Sequence, residues 1–350
     1  MQYSLYLPGQ QTAATDGHTV IAADVGGTKT NLGLFEVRGS KLALVSEHTF
    51  SSKGQQRFED IVQAFLQENN ATPSFLSIGV AGPVLNNQVE LTNLDWQLDG
   101  RALEKDLGIS QVVLLNDLEA TAYGLAGIAK EDMAEVSDGK DSKRAIGNMA
   151  ILAPGTGLGQ AGLFWDGDCY RPFATEGGHS DFAPQTDLDW EIHQYLQREF
   201  DLPSWEHLIS GPGIYRIYSF LRDVKGYKEP AWLTENFKNS DDPTAVVSHA
   251  AMRGLDDTCK ETMDLFVRYM AREASSLVLK HKATGGLLLG GGIPPRIYPL
   301  LKGATFRDYF VRNSEMNDLL AEVPVKVILN SKAALIGAAY YGAFGDHPKR

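Results

Sequence analysis

The sequence predicts an α/β protein built from two similar halves. Apolar, β-branched runs alternate with helical periodicity through the first half, and the same pattern of strand, glycine turn and strand restarts near residue 149. In addition, Gly33-Leu34-Phe35 is echoed by Gly162-Leu163-Phe164, with Gly26 and Gly155 the same distance ahead of each. Duplicated α/β domains facing a cleft produce such an echo, and so does chance.

Thr19–Val25 and Thr30–Val37 flank a Gly-Gly turn, and Arg38-Gly39-Ser40-Lys41 turns the chain into Leu42–Phe50, so residues 19–50 read as a β-meander. Phe58, Ile61, Val62, Phe65 and Leu66 recur at helical spacing and predict a helix over Arg57–Gln67. Phe75–Ala81 and Val112–Leu115 read as buried strands, with a helical stretch over Leu118–Ile128. In the second half, Met149–Ala153, a run through Leu163-Phe164-Trp165, and a segment after Asp166-Gly167-Asp168 give three strands. Helices then dominate. Leu188, Ile192, Tyr195 and Leu196 share a face, Asp242-Pro243 starts a helix, and Met263 through Val278 mark a long amphipathic one. Gly285–Gly290 reads as a last core strand and Ala333–Phe344 as a closing helix.

A chain of 350 residues with 43% hydrophobic and 22% charged residues is an ordinary globular composition, long enough for one large or two moderate domains. Its formal charge of −12 argues against a nucleic-acid partner, which needs a basic face. The first eighteen residues lack the basic start and apolar run of a signal peptide, and no stretch is apolar for long enough to span a bilayer. Cys169 and Cys259 are far apart, in no metal-like spacing, and fit packing in a reducing compartment. A cytoplasmic protein with no membrane partner is expected.

Asp24-Val25-Gly26-Gly27-Thr28 directly follows a buried strand. Its glycines let backbone amides approach an anion, Thr28 adds a hydroxyl donor, and Asp24 is placed to hold Mg²⁺ through water. A tight hairpin with a solvated Asp is the competing account. Gly155-Thr156-Gly157 repeats the device, so two facing hairpins would grip one nucleotide. No Walker lysine motif is present, and the G-x-G-x-x-G at Gly157, Gly159 and Gly162 runs into a strand, where a dinucleotide fingerprint must open a helix. Asn116-Asp117 ends a strand before a helical stretch. An Asp there suits a general base, although spacing alone favours a helix cap. Glu176-Gly177-Gly178-His179 pairs a carboxylate with an imidazole, as recognition of vicinal sugar hydroxyls would want. Glu206, shortly before Ser210-Gly211-Pro212-Gly213, is either another hydroxyl acceptor or an exposed helix charge. Gly290-Gly291-Gly292 would let an adenine pack flat on the backbone, or is a simple bend.

In this order, Asp24–Thr28, Leu115–Asp117, Ala153–Gly159, Glu176–Pro184, Ser210–Gly213 and Gly290–Arg296 resemble the bacterial glucokinases of the hexokinase–actin–chaperone ATPase superfamily. The most specific part is Glu-Gly-Gly-His followed by Asp181-Phe182-Ala183-Pro184 and Ser-Gly-Pro-Gly. The resemblance implies two ribonuclease-H-like (actin-like ATPase) domains flanking an active-site cleft, closing on sugar and Mg-ATP. The first would hold residues 1–117, completed by 330–350, and the second 118–329. It implies phosphorylation of D-glucose at the 6-hydroxyl, with Asp117 as catalytic base and Asn116, Asp117, Glu176, His179 and Glu206 on glucose. ATP would meet Ala23, Asp24, Val25, Gly26, Gly27 and Thr28, then Gly155, Thr156, Gly157, Gly291 and Gly292, with Mg²⁺ at Asp24. A homodimer is implied as well.

Lys29 after Gly-Gly-Thr is shared with the ROK sugar kinases, but their cysteine-rich zinc cluster is missing, since no cysteine lies between Cys169 and Cys259. Alternatives are a kinase for another hexose or an amino sugar, a nucleotide-binding module of actin or chaperone type, and a sugar-sensing regulator. The last would need a helix-turn-helix that the short polar N-terminal segment has no room for. Residues 1–18 match nothing in the family.

Overall fold

The computed structural model describes residues 3–12, 17–54, 57–91, 94–139 and 146–346. Thirteen strands occur among them: β1 (Thr19–Val25), β2 (Lys29–Arg38), β3 (Lys41–Ser51), β4 (Phe75–Val80), β5 (Gln88–Leu91), β6 (Trp96–Asp99), β7 (Gln111–Asn116), β8 (Met133–Ser137), β9 (Met149–Pro154), β10 (Leu158–Trp165), β11 (Tyr170–Thr175), β12 (Gly286–Leu289) and β13 (Val325–Ile328). One sheet runs β3-β2-β1-β4-β7 and another β11-β10-β9-β12-β13-β8, with β5 and β6 forming a separate hairpin. Apart from the added edge strand β8, the two orders map strand for strand. The echo between residues 33–35 and 162–164 is therefore a duplicated topology, since both triplets lie in the second strand of their motif.

The chain forms two compact units. The first comprises Met1–Asp132, Leu163–Ala174 and Asn330–Arg350, the second Met133–Gly162 and Thr175–Leu329. This differs from a boundary at residue 117 in two places, each with a physical reason. The helix Asp117–Gly124 packs on the closing helix Ala333–Phe344. A methyl on Gly337 would collide with the Ala120 carbonyl, and one on Gly124 with the Ala333 carbonyl, so the backbones meet closely. In addition, the Tyr170 amide donates to Ser4 O at 2.8 Å and the Tyr6 amide to Tyr170 O at 2.9 Å, and Arg171 lies 3.6 Å from the Tyr6 ring centroid. Part of the unassigned N-terminal segment thus completes the first unit.

In the first unit β1 and β2 are antiparallel, while β1, β4 and β7 are parallel, with Val25 level with Val80 and Val80 level with Asn116. The carboxyl ends of β1 and β7 therefore lie on one edge of the sheet, two strand spacings or about 10 Å apart. Ile21, Phe58, Phe65, Leu76, Ile78 and Trp96 are among the buried residues of this core. The predicted helix near 57–67 spans Phe58–Asn69, and Leu118–Ile128 is helical only from Asp117 to Gly124.

In the second unit β9, β12 and β13 are parallel, and β8 closes the edge antiparallel to β13. The long helix Asp257–His281 buries Phe266, Tyr269, Met270 and Leu277, capped at its start by Asp256, whose carboxylate accepts from the Cys259 amide. Cys169 and Cys259 are both free and buried, as packing residues would be.

Candidate active site

In the first unit the Asp24–Thr28 segment closes the β1–β2 hairpin. The Gly26 amide donates to Lys29 O at 2.9 Å, and the Ser52 hydroxyl donates to Gly26 O at 2.8 Å. Ser52 also pairs with the buried Thr30 hydroxyl, so the turn is held from beneath while Gly27 and Thr28 stay exposed. Asp24 receives one side-chain donor, Asn31 Nδ2 at 3.2 Å, and burial pushes its carboxyl above the ordinary range. A carboxyl short of donors beside an exposed turn is a fitting hard oxygen ligand for a divalent cation.

Asn116 and Asp117 sit at the end of β7. The capping role belongs to Asn116: its Oδ1 accepts from the Leu118 and Glu119 amides, and its Nδ2 donates to Gly82 O at 3.2 Å. The cap foreseen for Asp117 is therefore taken by its neighbour. Asp117 is the first helical residue, half-buried, with Oδ1 accepting from the Leu118 amide at 2.9 Å. A carboxylate at a helix N-terminus is stabilised in its ionised form by the helix dipole.

The second unit gathers the remaining motifs. Gly155 opens a tight turn, its amide bonded to Gly157 O at 2.8 Å, with Thr156 exposed at the tip. Gly290-Gly291-Gly292 follows β12 at the same sheet end. The Ile293 amide donates to Pro154 O, and Gly291 has φ +78°, where a side chain would meet that carbonyl. The Gly211 amide donates to Gly155 O at 2.8 Å, and the Thr244 hydroxyl donates to Gly211 O at 2.6 Å, which docks the Ser-Gly-Pro-Gly turn on the same loop.

Gly177–His179 form a short 3₁₀ turn preceded by Glu176, and Glu176 and His179 are both exposed. Glu206 is the middle residue of another short 3₁₀ turn, Trp205–His207. Its Oε2 accepts from the Leu158 amide at 2.8 Å, and its Oε1 lies 4.0 Å from His179 Nδ1. Glu206 is therefore neither a free helix charge nor a wholly free acceptor, because one oxygen is committed to the strand leaving the Gly155-Thr156-Gly157 turn. Sequence reasoning missed three neighbours of these turns: the Leu158 amide, Gln160, whose amide oxygen abuts Gly177, and Glu273, which accepts from Gln160 Nε2 at 2.8 Å. The last two had a visible signal, since each is a polar residue on an otherwise apolar face.

Among the described residues, no group of three or more His, Cys, Asp or Glu side chains could hold a metal ion, and no helix is long and apolar enough to cross a membrane.

Two sheets of matching strand order, each with a glycine-threonine turn between two consecutive strands, form a duplicated α/β fold, and solved structures place that fold among the actin-like sugar kinases. The model of the glucokinase family matches residues 21–343. A glucokinase from Nostoc sp. is 38% identical over 93% of this chain and 98% of its own length, and one from Allorhizobium ampelinum is 33% identical over 92% and 91%. The crystal structure of a glucokinase from an Antarctic psychrotroph superposes with a TM-score of 0.77 at 28% identity, covering 93% of this chain and 98% of that one. The chain belongs to the glucokinase family, and its activity is the ATP-dependent phosphorylation of D-glucose.

Proposed function

We propose that Asp117 is the general base of this reaction and that Glu176, His179, Glu206 and Asn116 hold the sugar. The observation that carries the reading is the contact of Glu206 with both the Leu158 amide and the neighbourhood of His179, which joins sugar-type and phosphate-type motifs within one unit. Asp117 takes the proton of the 6-hydroxyl as that oxygen attacks the γ-phosphorus. The bond from the γ-phosphorus to the β–γ bridging oxygen breaks, and ADP leaves. Ala23 through Thr28 and Gly155, Thr156 and Gly157 donate amides and hydroxyls to the phosphates, while Gly291 and Gly292 receive the adenosine.

Asp24, with Asn31 orienting it, would hold Mg²⁺ through its water shell. The ion, when bound, supplies positive charge against that developing on the phosphate oxygens. Of the Asn116 side chain, only one amide hydrogen remains for a sugar oxygen, because its carbonyl oxygen and other hydrogen are engaged in capping and in the Gly82 bond. Homodimerisation, which the family resemblance supports, and a cytoplasmic compartment, which the two free buried cysteines support, complete the reading.

Asp117→Ala tests the assignment. kcat falls by about 10²–10⁴-fold, while glucose still binds in an equilibrium titration. Turnover close to wild type in a coupled ADP-release assay would refute the role of Asp117.

A further inference from the structure

We propose that Gln160 and Glu273 form a buried positioning pair that seats the Glu176–His179 loop and so sets the enzyme's affinity for its sugar. The proposal rests on that loop being the sugar contact and adds what holds it in place.

Gln160 lies in β10 and Glu273 near the middle of the long helix Asp257–His281, at 3% and 0% exposure. Gln160 Nε2 donates to Glu273 Oε1 at 2.8 Å, a contact made well away from solvent. The amide oxygen of Gln160 fills the space that a side chain on Gly177 would need. The backbone continues the attachment: the Thr175 hydroxyl donates to Gln160 O at 3.3 Å, and the Gly177 amide donates to Thr175 Oγ1 at 3.3 Å. Gly178 is pressed onto the Leu158 carbonyl, leaving no room for a β-carbon. The loop between Glu176 and His179 thus rests on β10 from Leu158 to Gln160, and Gln160 is braced from the helix side by Glu273.

Glu273 is costly where it stands. It shares an apolar stripe with Met270, Ala274 and Leu277, and its Oε2 is buried with no hydrogen-bond partner. Desolvation pushes its carboxyl upward, opposed by Lys280 on the same helix and by the Gln160 bond. An apolar residue of similar volume would fill that stripe without this cost, and such replacements are often neutral or stabilising. What an apolar residue lacks is an acceptor for the Gln160 amide. Without that acceptor the Gln160 side chain has no fixed rotamer, and the surface under Gly177 is no longer defined. Glu176 and His179 flank Gly177 and Gly178, so a shift there moves both side chains.

The test uses the full-length enzyme with Gln160→Asn, Glu273→Leu, Glu273→Gln and the double variant of the first two. Glucose KM, ATP KM, glucose affinity by calorimetry and the thermal midpoint are measured for each. Gln160→Asn withdraws the amide by one methylene, and Glu273→Leu removes its acceptor. Each is expected to raise glucose KM and the calorimetric Kd by about tenfold, with ATP KM within about twofold. The double variant is expected to be no worse than the worse single one, because both changes break one contact. Glu273→Gln keeps an acceptor oxygen for Gln160 and restores glucose KM.

A lowered thermal midpoint with unchanged glucose KM overturns the proposal, as does a Glu273→Gln variant as impaired as Glu273→Leu. Should Glu273→Leu fail to fold, Gln160→Asn decides. Glu176→Gln, run alongside, separates the two levels. If it leaves glucose KM unchanged, the reading of the loop is at fault. If it raises glucose KM and Gln160→Asn does not, the bracing role alone is lost.

Discussion

Glu206 accepts the backbone N–H of Leu158 through Oε2 at 2.8 Å, so a side chain we assign to the sugar also fixes the strand that leaves the Gly155-Thr156-Gly157 turn. The Ser210 hydroxyl donates to the Glu206 carbonyl at 2.7 Å, and the Gly211 amide donates to Gly155 O, so Glu206 and this turn are tied together on two sides.

Truncation at this position is therefore expected to damage both substrates. Glu206→Ala removes a charge-assisted bond worth about 1.5–3 kcal/mol and frees the Leu158 amide. Glucose KM and ATP KM are each expected to rise about tenfold or more, whereas Glu176→Gln raises glucose KM alone. Steady-state kinetics with each substrate varied in turn separates the cases. An ATP KM within twofold of wild type would contradict the link between Glu206 and the turn.

Much of this arrangement was readable in the sequence because glycines and acidic residues punctuated apolar runs. The strand–turn–strand motifs around Gly26-Gly27 and Gly155-Thr156-Gly157, the helix started by Asp242, and the closing helix Ala333–Phe344 follow from local chemistry alone. Two things were not readable. The first was which residue caps the helix after β7, since Asn116 and Asp117 both suit the position and only backbone geometry selects Asn116. The second was anything depending on distant partners: the Leu158 amide meeting Glu206, Gln160 meeting Glu273 across 113 residues, and Ser4 and Tyr6 pairing with Tyr170. Periodicity reports which face of an element is buried but not what it is buried against.

The contact of the Asp117–Gly124 helix with the closing helix makes a second prediction. Gly337 faces the Ala120 carbonyl and the Gly124 amide at a separation no side chain fits. Gly337→Ala forces the helices apart and is expected to cost about 1–3 kcal/mol. Because the displaced helix begins at Asp117, kcat is expected to fall severalfold at temperatures where the variant remains folded. Chemical denaturation and turnover at low temperature give the two values. An unchanged denaturation midpoint would mean that the helix pair yields without cost.

A buried ion pair gives a third. Arg272 Nη1 lies 2.8 Å from Asp189 Oδ2, with the two side chains 8% and 1% exposed, and Arg272 Nη2 donates to Ala183 O at 2.6 Å. Asp189 also accepts from the Tyr269 hydroxyl and from the Gln185 and Thr186 amides. Arg272→Met leaves that carboxylate buried without its cation and releases the Ala183 carbonyl. The expected loss is about 3 kcal/mol, read from the urea midpoint. Replacing both partners, in Arg272→Met with Asp189→Leu, is expected to recover part of it. A single variant as stable as wild type would show the pair to be dispensable.

Glu119 supplies a dependence on pH. It lies on the Asp117–Gly124 helix with Tyr123 and Tyr341 as its charge-sensitive neighbours, and burial pushes its carboxyl from an ordinary 4.5 up to about 7. The folded protein therefore holds a proton that the unfolded chain has released between those two values. Below pH 4.5 both states are protonated and Glu119 has no effect on the pH slope. From 4.5 to about 7 the unfolded state is favoured progressively, so stability falls, and above 7 the loss levels off. Glu119→Gln cannot ionise and escapes that loss. It is expected to match wild type near pH 4.5 and to exceed it by on the order of 2 kcal/mol at pH 8, a figure reduced from the full shift because the carboxyl is only partly shielded from water. Denaturant titrations of both proteins across this range provide the check. A stability difference that stays flat with pH would mean that Glu119 titrates alike in the folded and unfolded chain.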